Sequence, residues 1–293
     1  MTALLALVGV LGVSSSGPLM AGTHAPALAI AWWRNALAAA ALAPVAGVAR
    51  RQEIAHLSRR EVRLTMLAGM MLAAHFATWV TALKLTSVAS ATALVCTQVG
   101  WVVLLGRLRG EPANRAVLVG MAIAFGGVLV VSGVDVTVSG RALGGDLLAF
   151  SGGLFAAVYT RVGSVARATM STTTYTTFCY GTCAVLLLLT CVVGRQPIVG
   201  FSSGSWLAIG GVTIAAQLLG HSVFNHLLAV LSPTVVSLIL LLEVPGASLL
   251  AAAFLRQTPP AGLYAGLALV LIGLAVVLAR WVPEHGTRVG PVD

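Results

Sequence analysis

Charge is what this chain has least of. Of its 293 residues only 9% are Asp, Glu, Lys or Arg, and the acids number eight; soluble domains carry about 25% charged residues. A water-facing globular surface is thereby excluded. Long polar stretches are missing too: the longest are 50–63 and the tail after Trp281, each too short for a soluble domain. Cysteine is scarce. Cys96, Cys179, Cys183 and Cys191 all fall in apolar segments without a CxxC pair, which excludes a zinc knuckle or disulfide framework and predicts free thiols. The sequence has no GxxxxGK[ST] or HExxH, and no close acid pair except Glu53 and Glu61 in a basic loop. ATP-driven work and zinc proteolysis therefore lack their machinery, and no metal or other cofactor is expected.

What fills the space is apolar. Hydrophobic residues make up 58% of the chain and mean hydropathy is +0.98, the profile of an all-α, multi-pass integral membrane protein. A net charge of +9 would suggest nucleic acid in a soluble protein. Here Lys and Arg sit between apolar segments, so they report topology and no nucleic-acid partner is expected. Met1–Leu11 lacks a positively charged leader and the run continues through Ser14, Ser15, Ser16 and Pro18 without an A-x-A cleavage site, so the first segment reads as a retained membrane helix. About 20 apolar residues cross the hydrocarbon. Such stretches fall at 3–20, 27–47, 64–84, 87–107, 114–133, 145–163, 171–193, 205–227, 233–254 and 260–281, ten in all, with Pro26, Pro233 and Pro259–Pro260 opening three of them. With a cytoplasmic N-terminus, Arg50, Arg51, Arg59, Arg60, Arg63, Arg107, Arg109, Arg115, Arg161, Arg167, Arg280 and Arg288 lie inside. Only Lys84, Arg141, Arg195 and Arg256 lie outside. Twelve against four predicts both termini in the cytoplasm of a cell inner membrane.

An internal repeat accompanies this count. Shifting the chain by 146 residues lays His75 on His221, Trp79 on Asn225, Leu85 on Leu231, Thr86 on Ser232, Gly120 on Gly266 and Gly127 on Gly273. AHFATW at 74–79 and GHSVFN at 220–225 thus take equivalent places. The expected architecture is two five-helix repeats, 1–138 and 139–293. Because five is odd, the copies insert in opposite senses, the inverted arrangement of secondary transporters with a site near the midplane.

Three stretches carry a family resemblance: PALAIAWWRNALAA around Arg34, LKLTSVASATALVCTQVGWVVLLG at 83–106 and LSPTVVSLILLLEVPGASLLAAAFL at 231–255. With the doubled five-helix pattern, the chain resembles the EamA-type branch of the drug/metabolite transporter (DMT) superfamily over nearly its whole length. Members carry Pro directly after the Gln of the fourth helix and the Glu of the ninth; here Val99 follows Gln98, and Val244 separates Glu243 from Pro245. An acidic residue usual after the ninth helix is replaced by Arg256, Gln257 and Thr258. The resemblance implies a basket-like, non-enzymatic transporter of small metabolites, often an exporter of amino acids or toxic compounds, with its cavity between the repeats.

The residues themselves nominate the site. Glu243 lies deep in an apolar stretch, where a carboxylate costs roughly 2.5 to 3.5 kcal/mol; it reads as the proton-coupling group or an amine partner, or else as a structural acid. His75 and His221 read as cavity or relay groups, or as paired packing residues. His221 and Asn225 share a helix face. Gln98 and Asn225 offer donors and acceptors to a zwitterion, or bond across helices. Trp79 and Trp101 are candidate aromatic walls, and Tyr159 and Ser14–Ser16 add hydroxyls; the serine run beside Gly17 and Pro18 also marks a helix irregularity. Arg34 is either a clamp on a substrate carboxylate or a snorkelling residue near the outer interface. Trp32 and Trp33 read as interfacial anchors. Gly262 and Gly266 form a GxxxG that suggests a homodimer. Two other readings fit these residues, an intramembrane lipid-modifying enzyme using His75, His221 and Glu243, and a non-transporting scaffold.

Overall fold

A computed structural model describes residues 1–111, 115–132, 140–257 and 262–279. The 138/139 boundary, Pro259–Pro260, Arg280, Arg288 and the tail lie outside the described residues. In hydrocarbon every backbone N–H and C=O must be satisfied within the protein, which leaves helices as the solution for these apolar runs. The described elements are helices throughout: α1 Thr2–Ser14, α2 Ser16–Ala21, α3 Ala27–Ala49, the short α4 Arg51–Ala55, α5 Arg59–Ala82, α6 Val88–Val95, α7 Gln98–Arg107 and α8 Arg115–Ser132. They continue with α9 Gly140–Ala166, α10 Thr172–Val193, α11 Ser203–Val212, a π-helix Thr213–His221, α12 Ser222–Leu227, α13 Pro233–Leu240, α14 Glu243–Leu255 and α15 Leu263–Ala279. Joined where they run on, eight spans are long and apolar enough to cross a membrane, and two shorter apolar helices, Arg115–Gly127 and Tyr264–Gly273, stand at the fifth and tenth places. The protein is a multi-pass integral membrane protein; the count of ten expected spans is reached only if those two shorter helices also cross.

Serine sets the starts. Ser58, Ser87, Ser171, Ser202 and Ser232 are N-caps, each accepting from the backbone N–H three residues on. Ser58 and Glu61 complete a reciprocal capping box. A cap of this kind contributes about 1 kcal/mol.

Four spans are not plain α-helices. The first is interrupted at Ser15, as its serine run foretold. The fourth breaks at Cys96–Thr97 and the ninth at Leu241–Leu242. The eighth carries a nine-residue π-helix that the apolar pattern did not reveal. Residue spacing explains its length: Ser58 to His75 is 17 residues, while Ser202 to His221 is 19. A π-turn closes i→i+5 where an α-turn closes i→i+4, so about two π-turns absorb about two extra residues and bring His221 to the level of His75.

Glycines let helices approach. A Cβ on Gly127 would lie 2.6 Å from the Gly266 carbonyl oxygen, and one on Gly273 would meet Gly120 O and lie 2.6 Å from Ala124 N. Because 127 faces 266 while 120 faces 273, α8 and α15 run antiparallel with a contact that reads the same from either helix. Gly262 likewise presses on Val130 of α8. This corrects the dimer reading: the GxxxG face is occupied inside the chain.

Candidate functional site

A cavity lies where the interrupted spans meet. His75 and Trp79 reach it from α5, Cys96 and Gln98 from the break of the fourth span, Tyr159 and Thr160 from α9. His221, Phe224 and Asn225 arrive from the end of the π-helix and α12, and Leu240 and Glu243 from the break of the ninth span. It encloses about 50 Å³, room for a few waters at about 10–15 Å³ each. Seven of the nine residues nominated from sequence line it: His75, Trp79, Gln98, Tyr159, His221, Asn225 and Glu243. Trp101 does not. It stands on the other side of α7, edge-on to Phe150 at 5.5 Å.

Each break delivers a side chain. Gln98 is the first residue of α7 and Glu243 the first of α14. The broken backbone is satisfied locally: Thr97 Oγ1 donates to Leu94 O at 2.6 Å, and Cys96 Sγ donates to Leu240 O at 3.7 Å, joining the two breaks. All four cysteines are free and buried. Glu243 is 8% exposed, and among the described residues no hydrogen bond to its carboxylate and no cation within 4 Å is found. Among the described residues, then, no hydrogen bond or contact ion pair accounts for an acid so placed.

Other wall groups are already engaged. His75 Nδ1 bonds Gly152 O at 3.1 Å, and its ring stacks on Trp79 with centroids 5.7 Å apart. His221 stands 6.4 Å from His75 and edge-on to Phe76 at 5.3 Å. Tyr159 Oη donates to Asn225 Oδ1 at 2.7 Å, while Asn225 Nδ2 donates to Tyr180 Oη at 3.3 Å. Trp79 is different: its indole N–H is buried and has no partner among the described residues. A ligand entering the cavity therefore meets the Trp79 donor, the Gln98 amide, the His221 ring and the Glu243 carboxylate.

Arg34 overturns the snorkelling expectation. It is fully buried, with Nε donating to Gln217 Oε1 at 2.8 Å and Nη1 to Ser16 Oγ at 3.0 Å. Its guanidinium lies 4.2 Å over the Phe76 ring, which His221 meets edge-on. The physical reason is local: the break at Ser15 and the widened π-helix bring Ser16 and Gln217 within reach, so the charge is held inside rather than drawn to an interface. It is also no cavity-wall residue. Gln217 passes the contact on, with Nε2 donating to Asn35 Oδ1 at 3.1 Å. Asn35, Gln217, Tyr180 and Thr160 escaped the sequence reading, although a polar side chain inside an apolar span is the signal that would have found them. Trp33 matches an anchor's surroundings, its indole donating to Ile198 O at 2.7 Å beside Trp206.

Arg161 lies 6% exposed on α9 and pairs with Glu111 at 2.6 Å. Gly106 makes room for that pair, since any Cβ there would strike Arg161 and Glu111. Outside the membrane, that hydrogen bond from Arg161 holds the Glu111 carboxyl below its ordinary value of 4.5.

A family model described as the EamA-like transporter family matches the chain twice, at residues 1–133 and 143–279. No curated protein matches the chain. Among solved structures 27 chains match. One, described only as a crystal structure of a protein, is 19% identical over 95% of this chain and 96% of that chain, with a TM-score of 0.75. At that identity the likeness is one of fold.

Proposed function

The chain belongs to the EamA-like transporter family, and from that premise we propose that it is a secondary exporter of small polar or amphipathic metabolites such as amino acids, coupled to protons through Glu243. Membership makes it a membrane transporter of the DMT type with two repeats. The reading adds that the two shorter helices complete ten spans, in two five-helix units at 1–138 and 139–293 inserted in opposite senses. The antiparallel, self-matching contact of α8 with α15 supports it. Both termini lie in the cytoplasm of a cell inner membrane.

One observation carries the site: Glu243 opens α14 at a break in the ninth span, on the wall of a cavity whose other side is the matching break at Gln98. His75, Trp79, Gln98, Tyr159, His221 and Asn225 form the remaining binding wall, while Arg34, over the Phe76 ring, acts as a fixed charge. In alternating access the halves rock about this cavity, exposing it first to one side and then to the other. Protons and substrate exchange on Glu243, so that its charge is never left in the membrane without a proton or a ligand.

Purified protein in liposomes tests this. The wild type is expected to support counterflow of a cargo compound and flux driven by a pH gradient. Glu243→Gln keeps the fold and loses the gradient-driven flux. Wild-type flux from Glu243→Gln at both mildly acidic and mildly alkaline pH sinks the assignment.

A further inference from the structure

The carboxylates at the end of the molecule where α5 begins are all taken up by hydrogen bonds. Glu53 accepts from Ser171 N at 2.8 Å and Ser171 Oγ at 2.6 Å, fastening α4 to the start of α10. Glu61 accepts from Ser58 N at 2.8 Å and Thr169 Oγ1 at 2.8 Å. Glu111 is taken by Arg161, the one ion pair among the described residues. Arg59, Arg60 and Arg63 on α5, with Arg107 and Arg109 at the end of α7, are exposed, and no carboxylate among the described residues lies within 4 Å of them. Such a rim is normally read as a topology signal only. Its continuation along α5 says more.

Arg59, Arg63, Met66 and Met70 follow one another at four, three and four residues, which places them on one stripe of the helix. All four are exposed, Met66 at 52% and Met70 at 42%. Glu61 points the other way, toward Thr169. At 1.5 Å per residue, Arg63 lies about 6 Å, Met66 about 10 Å and Met70 about 16 Å along the axis from Arg59. The headgroup layer is about 5–8 Å deep on each side of the hydrocarbon. The two guanidinium groups therefore stand at phosphate depth and the two thioethers among acyl chains.

We infer that this face of α5 binds an anionic phospholipid, its phosphate held by Arg59 and Arg63 and its upper acyl chain laid along Met66 and Met70. A guanidinium fork takes phosphate oxygens in pairs. The apolar half of the stripe selects a lipid over a free anion, and Glu53, Glu61 and Glu111, each bonded to Ser171, Thr169 or Arg161, leave the charge of Arg59 and Arg63 to that lipid. The inference is independent of what the cavity carries.

Thermal unfolding of the full chain in neutral detergent, titrated in parallel with phosphatidylglycerol, phosphatidylcholine and inorganic phosphate, tests it. Only phosphatidylglycerol is expected to raise the midpoint, less so at high salt. A basic residue at an anionic surface is worth about 1 kcal/mol, a factor of about five. Arg59→Gln with Arg63→Gln should therefore raise the phosphatidylglycerol concentration needed by about 25-fold. The matching Lys pair, which keeps charge without the fork, should fall between, and Arg195→Gln at the opposite end should behave as wild type. Equal stabilisation by phosphatidylcholine, a full effect from inorganic phosphate alone, or an unchanged titration for the double Gln variant would overturn the inference.

Discussion

Val88–Arg107 and Pro233–Leu255 start from the same device, Ser87 and Ser232, both stop after eight helical residues, and both resume two residues later on a polar side chain. The caps stand 145 residues apart and so do Gln98 and Glu243, one fewer than the 146 between the histidines. The equivalent of Ser232 is therefore Ser87 and not Thr86 as the uniform shift implied. Backbone is shared between the two spans and charge is not: one break carries an amide, the other an acid. Proline accounts for one break alone: Pro245 has no N–H to give Leu241 O in the ninth span, whereas Val99, not a proline, follows Gln98. The fourth span breaks without any proline, where Gly153 of α9 lies so close that a Cβ would sit 2.8 Å from both Val95 O and Thr97 Oγ1. Close packing and a local hydroxyl bond are enough to end α6.

The strongest way to break the comparison is to exchange the charges. Glu243→Gln with Gln98→Glu should return gradient-driven flux if the cavity sees both breaks alike, and leave none if only the ninth span couples; liposome flux reads the difference. Gln98→Glu alone puts a second acid at the same depth and should destabilise by about 3 kcal/mol in chemical unfolding. The self-matching contact of α8 with α15 predicts that Gly127→Ala and Gly273→Ala cost alike, about 1–3 kcal/mol each, by overpacking. Ser87→Ala and Ser232→Ala should each cost about 1 kcal/mol and match within error.

The ends of the two spans differ more finely. Gly110 takes φ +82° where Arg256, 146 residues on, takes φ +54°. A left-handed conformation costs a side-chain-bearing residue about 1–2 kcal/mol, so Arg256→Gly should stabilise by about 1 kcal/mol while Gly110→Ala destabilises. The smallest effect concerns Glu111. Its folded-state carboxyl is held low by Arg161, so its contribution is present above the unfolded value and is lost as pH falls through the lowered folded one. Glu111 is 55% exposed, and screening keeps that contribution small. Thermal midpoints of Glu111→Gln and wild type should converge as pH falls below about 4.5.

Much of this was legible before any coordinates. The spans, the deep acid at 243, the histidine pair and its neighbours Trp79 and Asn225 all followed from polar residues standing out in apolar runs, and seven of the nominees share one wall. Arg34 and Trp101 were misplaced for a common reason. Depth along a helix can be counted from sequence, but facing depends on which neighbour comes close. The π-helix was invisible because apolar residues on a π-turn look like apolar residues on an α-turn; only the mismatch between 17 and 19 residues betrays it.

Hydropathy, serine caps and proline settled where this chain crosses the membrane, because a buried backbone must bond to itself and so answers to local composition alone. Packing decided which polar groups face the cavity, which guanidinium is locked over Phe76 and where the fourth, eighth and ninth spans depart from regularity. Those outcomes depend on atoms from spans more than a hundred residues apart arriving at the same place, as Arg34 meets Gln217 and Cys96 meets Leu240.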